Sequence, residues 1–124
     1  MRSSSQKTNI NLYRQLRQLF FQLFADLKDS QEIETFLTVF LSEQELLALV
    51  KRLGIAYYLN KKHHYAEIKR NLRVSSATVS EIARQVSQPG YQLALKKIRA
   101  DEWANRWADK LSSVTRLLSP KNKS

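Results

Sequence analysis

The sequence predicts an all-α fold of about six helices, on three observations. Glycine and proline are almost absent, with two of each in 124 residues, while the helix-forming residues Leu, Ala, Gln, Lys and Arg are abundant. Apolar residues recur at intervals of three and four through the long segments, which is the period of a helix and not of a strand. Short polar stretches with helix-capping chemistry separate those segments. The length suits one domain with a modest core, expected over residues 9–118 between an N-terminal tail (1–8) and a frayed C-terminal tail (119–124).

Residues 9–28 read as the first helix. Leu12, Leu16, Leu19, Leu23 and Leu27 recur at spacings of four, three, four and four, and Tyr13, Phe20, Phe21 and Phe24 widen the stripe. A stripe that wide covers more than one side of a helix, and a small monomer has little interior in which to bury it. A second chain is therefore the expected cover, with Leu12, Leu16, Leu19, Phe20, Leu23, Phe24 and Leu27 at the interface, joined by Phe36 and Phe40 from the next helix. The alternative is a helix crossing the domain's own core.

Asp29-Ser30 supplies caps for QEIETFLTVFL, which has Ile33, Phe36, Leu37 and Phe40 on one side. In LSEQELLALVKRLGIAYYLNKK, Ser42 and Glu45 form a capping box, and Leu41 is placed to staple onto Leu46. Leu46, Leu49, Val50, Leu53 and Tyr57 make the expected inward face of that helix, and Gly54 would permit a close crossing. KKHH at 61–64 is expected to be a solvated basic loop. Its adjacent histidines do not face one another on a helix and have no third ligand nearby, so no metal site is expected. A short helix over 65–72 follows, with Ile68 and Leu72 inward. Beyond Arg73-Val74 a second short helix runs to the break at Gln88-Pro89-Gly90. From Tyr91 helix resumes, with a stripe of Trp103, Trp107, Leu111, Val114 and Leu118.

The net charge of +10 is concentrated. Residues 51–99 hold eleven Lys/Arg against two Asp/Glu, whereas residues 1–50 hold five against six. A local excess of that size suits a polyanion, either nucleic acid or an anionic membrane surface. The membrane option is weak, because the most apolar helix is not the most basic one. No apolar run is long enough to span a bilayer, and MRSSSQKTN lacks an apolar signal core, so a soluble intracellular protein is expected. The absence of cysteine excludes disulfides and thiolate metal sites.

The basic segment also carries a motif. Ile68, Leu72, Val74, Val79 and Ile82 fall at the apolar positions of a helix-turn-helix over residues 65–87. Ser75 is placed to cap its second helix. At 100° per residue, Val79, Ile82, Ala83 and Val86 point inward, and Ala77, Glu81, Arg84 and Gln88 point away, flanked by Thr78, Ser80 and Gln85. The expected base-reading residues are Ser76, Ala77, Thr78, Ser80, Glu81 and Arg84. Small side chains at the helix start allow close approach, the Ala77 and Thr78 methyls suit thymine methyls, and the hydroxyls can hydrogen-bond base edges. Lys69, Arg70, Arg73 and Ser75 sit where phosphates would pass. For Glu81, either acceptance from a cytosine amine or a hold on Arg84 at i+3 is open.

The segments FLSEQELLALVKRLGIAYYL, HYAEIKRNLRVSSATVSEIAR and PGYQLALKKI, in that order, resemble the Trp repressor superfamily, particularly its shorter repressor-like branch. The matching features are Leu41-Ser42 with Glu45 opening a long helix, the leading helix over 65–72, and Ala77-Thr78-Val79-Ser80 where the repressor has an Ala-Thr-Ile-Thr recognition start. The resemblance implies an intertwined all-helical homodimer that binds double-stranded DNA as a transcriptional repressor in the bacterial cytoplasm, associated with the nucleoid. It also exposes a departure. In the repressor the tryptophan indole lies between two arginines; Arg52 stands at the first position, but Glu81 stands at the second and Ile82 replaces the glycine that follows. An acid offers no guanidinium face, and a branched side chain intrudes on the ligand's space. No tryptophan co-repressor is therefore expected, and nothing else in the sequence calls for a cofactor.

A competing function is an interaction module, in which the 12–27 and 103–118 stripes dock a protein and the basic middle binds an acidic surface on it. A recombinase or sigma-like fragment is a third option. The acids beyond the N-terminal half, Glu67, Glu81, Asp101, Glu102 and Asp109, form no evident metal cluster, and an enzyme is not expected.

Overall fold

A computed structural model describes residues 9–118, without the side chains of residues 107, 110 and 112–118. Both expected tails, and the Trp107, Val114 and Leu118 positions of the last stripe, lie outside the described residues or side chains. Six helices follow one another: α1 (Ile10–Asp26), α2 (Ser30–Phe40), α3 (Glu43–Asn60), α4 (Tyr65–Leu72), α5 (Ser76–Gln85) and α6 (Pro89–Leu118). Two compact units divide between Leu47 and Ala48.

The helix starts are set by local chemistry. Asn9 Oδ1 accepts the amides of Asn11 and Leu12 at the head of α1. Asp29 Oδ1 accepts from the Glu32 amide at 3.0 Å at the head of α2. At the head of α3 the capping box is closed both ways: the Glu45 amide donates to Ser42 Oγ at 3.1 Å, and the Ser42 amide donates to Glu45 Oε1 at 2.8 Å.

In the first unit, α1 and α2 contain no buried residue. Phe20 and Phe24 pack edge-to-face at 5.0 Å, Phe24 meets Phe36 at 5.4 Å, and Phe36 stacks on Phe40 at 4.3 Å. Leu27 and Phe36 are half-buried, whereas Leu12, Leu16, Leu19, Phe20, Leu23, Phe24 and Phe40 are exposed.

The second unit has its core where α3, α4 and α5 meet. Ile55, Ala56, Ile68, Val79 and Ile82 are buried together, with Leu59, Leu72, Val74, Val86 and Tyr91 packed against them. Gly54 lies against Leu72, whose Cδ1 would stand 3.3 Å from a Cβ at that position, so α3 and α4 do cross closely there. The expected inward face of α3 is corrected. Leu49, Val50 and Leu53 are 51%, 57% and 40% exposed, and Ile55 and Ala56 carry the burial instead. The helix is apolar on most sides, so its strongest stripe did not identify the side that α4 and α5 cover.

Two further corrections concern α5 and α6. The second helix of the motif ends at Gln85, and Gln88 instead accepts the Gln92 amide at the head of α6, so it leaves the outward face of α5. Helix resumes at Pro89 and not at Tyr91, because proline at a first helical position loses no hydrogen bond. The face that α6 turns to its unit carries Tyr91, Ala94, Leu95, Ile98 and Glu102, with Leu95 buried; Trp103 and Leu111 are exposed. The end of α3 is tied to α6 by the Tyr57 hydroxyl donating to Glu102, by Lys61 Nζ 3.4 Å from Glu102 Oε1, and by Arg99 donating to Asn60 Oδ1 at 3.3 Å.

Candidate nucleic-acid interface

α4 and α5 form a helix-turn-helix whose turn is built by two backbone devices. The first is Arg73, which closes α4 in the left-handed conformation with φ 53° and ψ 57°. Its amide and that of Val74 both donate to the Lys69 carbonyl, which drives Val74 down onto the core. A side chain costs about 1 kcal/mol in this conformation, where glycine is favoured. Lys51 Nζ braces the turn from α3 by donating to the Arg73 carbonyl at 3.4 Å. The second device is the cap on α5: Ser75 Oγ accepts the Thr78 amide at 3.1 Å and lies 2.9 Å from Thr78 Oγ1.

Burial of Val79 and Ile82 fixes which side of α5 faces out. Ser76, Ala77, Glu81 and Arg84 are exposed, and Thr78, Ser80 and Gln85 are half-buried along the flanks. Arg70 and Arg73 are exposed at the end of α4 and in the turn, with Lys69 half-buried one turn earlier. The six residues expected to read bases thus share one helix, and the four expected at phosphates lie at or just before its start. Thr78 differs in detail, since its hydroxyl is engaged with Ser75.

Glu81 does not reach Arg84; among the described residues it makes no ion pair with it. Its carboxylate accepts from Gln85 Nε2 at 3.4 Å, one turn on. Gln85 Oε1 in turn accepts from Arg52 Nη1 at 3.4 Å, and the same nitrogen donates to the Tyr91 hydroxyl at 3.4 Å. The bond to Tyr91 is the main influence raising the Arg52 pKa, with attraction to Glu81 adding to it. Beside it lies an open pocket of about 380 Å³ with Leu49, Leu53, Tyr91 and Ala94 in its wall. Sequence reasoning missed Gln85 as the link to Arg52; the i+4 spacing of Glu81 and Gln85 signals their mutual bond but says nothing of Arg52.

The KKHH segment is a largely exposed loop, as expected, with a defined turn at its start. Lys62, with φ 67°, ends α3 in a Schellman turn in which the His63 amide donates to the Tyr58 carbonyl and the Lys62 amide to that of Leu59, each at 3.0 Å. His63 Nδ1 is 3.1 Å from Glu67 Oε1 and its ring packs against Tyr58, whereas His64 is exposed. Among the described residues no three His, Cys, Asp or Glu side chains are grouped to hold a metal ion, and no helix is long and apolar enough to cross a membrane.

The profile of the family described as "Trp repressor protein" matches residues 15–99, from within α1 to within α6. A Bacillus subtilis (strain 168) relative, "Uncharacterized protein YerC", is 29% identical over 91 residues, covering 72% of this chain and 86% of that protein. Among solved structures, a TrpR-like protein from Eubacterium eligens ATCC 27750 is similar, with a TM-score of 0.64 and 27% identity over 73% of this chain and 95% of that one. The helix order, the helix-turn-helix geometry and these matches agree: the chain belongs to the Trp repressor protein family, a family with a regulator fold and not an enzyme family.

Proposed function

We propose that the chain is a sequence-specific DNA-binding transcription regulator, a repressor, that reads a palindromic operator as a homodimer. One observation supports this above the others. α5 buries Val79 and Ile82 and turns outward a face of small and polar residues, while Lys69, Arg70 and the left-handed Arg73 stand immediately before it. Arg73 is exposed in the turn just ahead of α5, a place that fits a phosphate contact.

In this proposal α5 enters the major groove with Ser76, Ala77, Thr78, Ser80, Glu81 and Arg84 toward base edges, and Lys69, Arg70, Arg73 and Ser75 hold the backbone. The partner chain covers the exposed stripe of α1 together with Phe36 and Phe40. Two α5 helices in such a dimer enter successive major grooves about one helical turn apart. Tryptophan is not the effector: at the position where the family offers a second arginine, this chain has Glu81, already bonded to Gln85. Saturable micromolar tryptophan binding in calorimetry would contradict that point. The protein would work on the nucleoid in a bacterial cytoplasm; a fluorescent fusion spread evenly through the cell would count against it.

The deciding test is charge reversal of Lys69, Arg70 and Arg73 to Glu. Loss of DNA retention with dimer mass unchanged supports the proposal. Unchanged DNA behaviour with loss of a protein partner supports the interaction module instead.

A further inference from the structure

The two buried anchors of α5, Val79 and Ile82, lie one turn apart on one side of the helix. Val86, just past the end of α5, packs against the same core, and the roll of the helix about its own axis decides where the reading face points. A polar contact at the flank adds a constraint on that roll.

One guanidinium acts there. Arg52 Nη1 on α3 donates to Gln85 Oε1 on the half-buried flank of α5 and to the Tyr91 hydroxyl on α6, each at 3.4 Å. That nitrogen carries two N–H groups, so these bonds use both. Gln85 Nε2 passes the connection to Glu81 Oε2 at 3.4 Å, and the charges of Glu81 and Arg52 attract along the same line. Three helices are joined through four side chains at one edge of α5.

We propose that Arg52 is a positioning residue. Through Gln85 and Tyr91 it sets the roll of α5, so that Ser76, Ala77 and Arg84 face the groove. The inference rests on the DNA-binding proposal for its consequence, whereas the hydrogen-exchange part of its test stands without it.

The test compares Arg52→Ala, Gln85→Ala and the double variant in the full chain, with helix content checked by circular dichroism. Amide hydrogen exchange without DNA should show α5 amides exchanging about threefold to tenfold faster in either single variant, with α4 amides unchanged, as expected for a local loosening. Affinity for operator DNA should fall about fivefold, a magnitude typical of residues that act without touching the ligand. The slope of affinity against salt should keep its wild-type value, since a lost phosphate contact would reduce it by about one. Gln85→Ala should add nothing in the Arg52→Ala background. Unchanged α5 exchange in Gln85→Ala, or a slope reduced by about one with additive single effects, overturns the inference. Gln85→Ala alone decides if Arg52→Ala does not fold. Absence of DNA binding by the wild type would sink the functional proposal, and the exchange result would still decide this one.

Discussion

Lys51 Nζ donates to the carbonyl oxygen of Arg73 at 3.4 Å, so the middle of α3 holds the turn of the helix-turn-helix at the residue whose backbone is strained. Lys62 has the same left-handed conformation at the end of α3. Replacing either residue with glycine removes the side-chain penalty and should stabilise the fold by about 0.5 kcal/mol, less than the full strain because glycine also gains freedom when unfolded. The two variants should differ on DNA. Arg73→Gly should weaken retention and lower the salt slope by about one, whereas Lys62→Gly should leave the slope unchanged. Urea titrations read the first effect and filter binding at several salt concentrations the second. A wild-type slope in Arg73→Gly would remove Arg73 from the phosphate set.

Ser75 has a structural role that is separable from any contact with DNA. Ser75→Ala removes the acceptor for the Thr78 amide and should cost about 1 kcal/mol of stability. Ser75→Asp restores an acceptor and should recover most of that loss, yet it places a negative charge where phosphates are expected. Recovered melting temperature together with abolished DNA retention is the expected pair of results. Recovery of both would mean that Ser75 stands away from the DNA backbone.

The clamp between α3 and α6 predicts a pH dependence. The Tyr57 hydroxyl, followed by the charges of Lys61 and Arg106, holds the Glu102 carboxyl below its usual range. A carboxylate lowered in the folded state contributes stability above its unfolded pKa, and that contribution is lost as pH falls through the folded value. Melting temperature should therefore decline below about pH 4 partly through this group. Glu102→Gln should be less stable than wild type at neutral pH and show a shallower decline in acid. Parallel curves for the two proteins would show that the clamp contributes no linkage.

The exposed stripe of α1 predicts the oligomeric state. Wild-type protein should sediment as a dimer, and Leu16→Asp with Phe20→Asp should give monomer with a large loss of thermal stability, because folding and association are inseparable when the shared core is apolar. A monomeric wild type, or a dimer indifferent to both changes, would refute the assignment of this surface to a second copy.

What could be read in the sequence was local. Asp29, Ser42 with Glu45, and Ser75 cap helices by chemistry acting within three residues, and each was legible before any fold was known. The apolar spacing of Ile68, Leu72, Val74, Val79 and Ile82 carried the helix-turn-helix for the same reason. The side of α3 that faces the core was not legible, because a helix with Leu49, Val50 and Leu53 on one side and Ile55 and Ala56 on another offers two apolar faces. Only the placement of α4 and α5 chooses between them. The inward face of α6 was hidden behind its more conspicuous tryptophans. The link from Arg52 to Gln85 crosses 33 residues and joins polar groups, for which periodicity gives no signal. Arg73 was legible as a cation but not as a left-handed residue, since its conformation follows from the amides of Arg73 and Val74 turning back to Lys69.

The central claim, that two copies of α5 read DNA from successive major grooves, is tested most directly by selecting bound sequences from a random duplex library with the wild-type protein. The expected result is an enriched palindrome whose half-sites are centred about ten base pairs apart, lost when Lys69, Arg70 and Arg73 are reversed in charge. Recovery of no preferred sequence, or of a single unrepeated site, would contradict it.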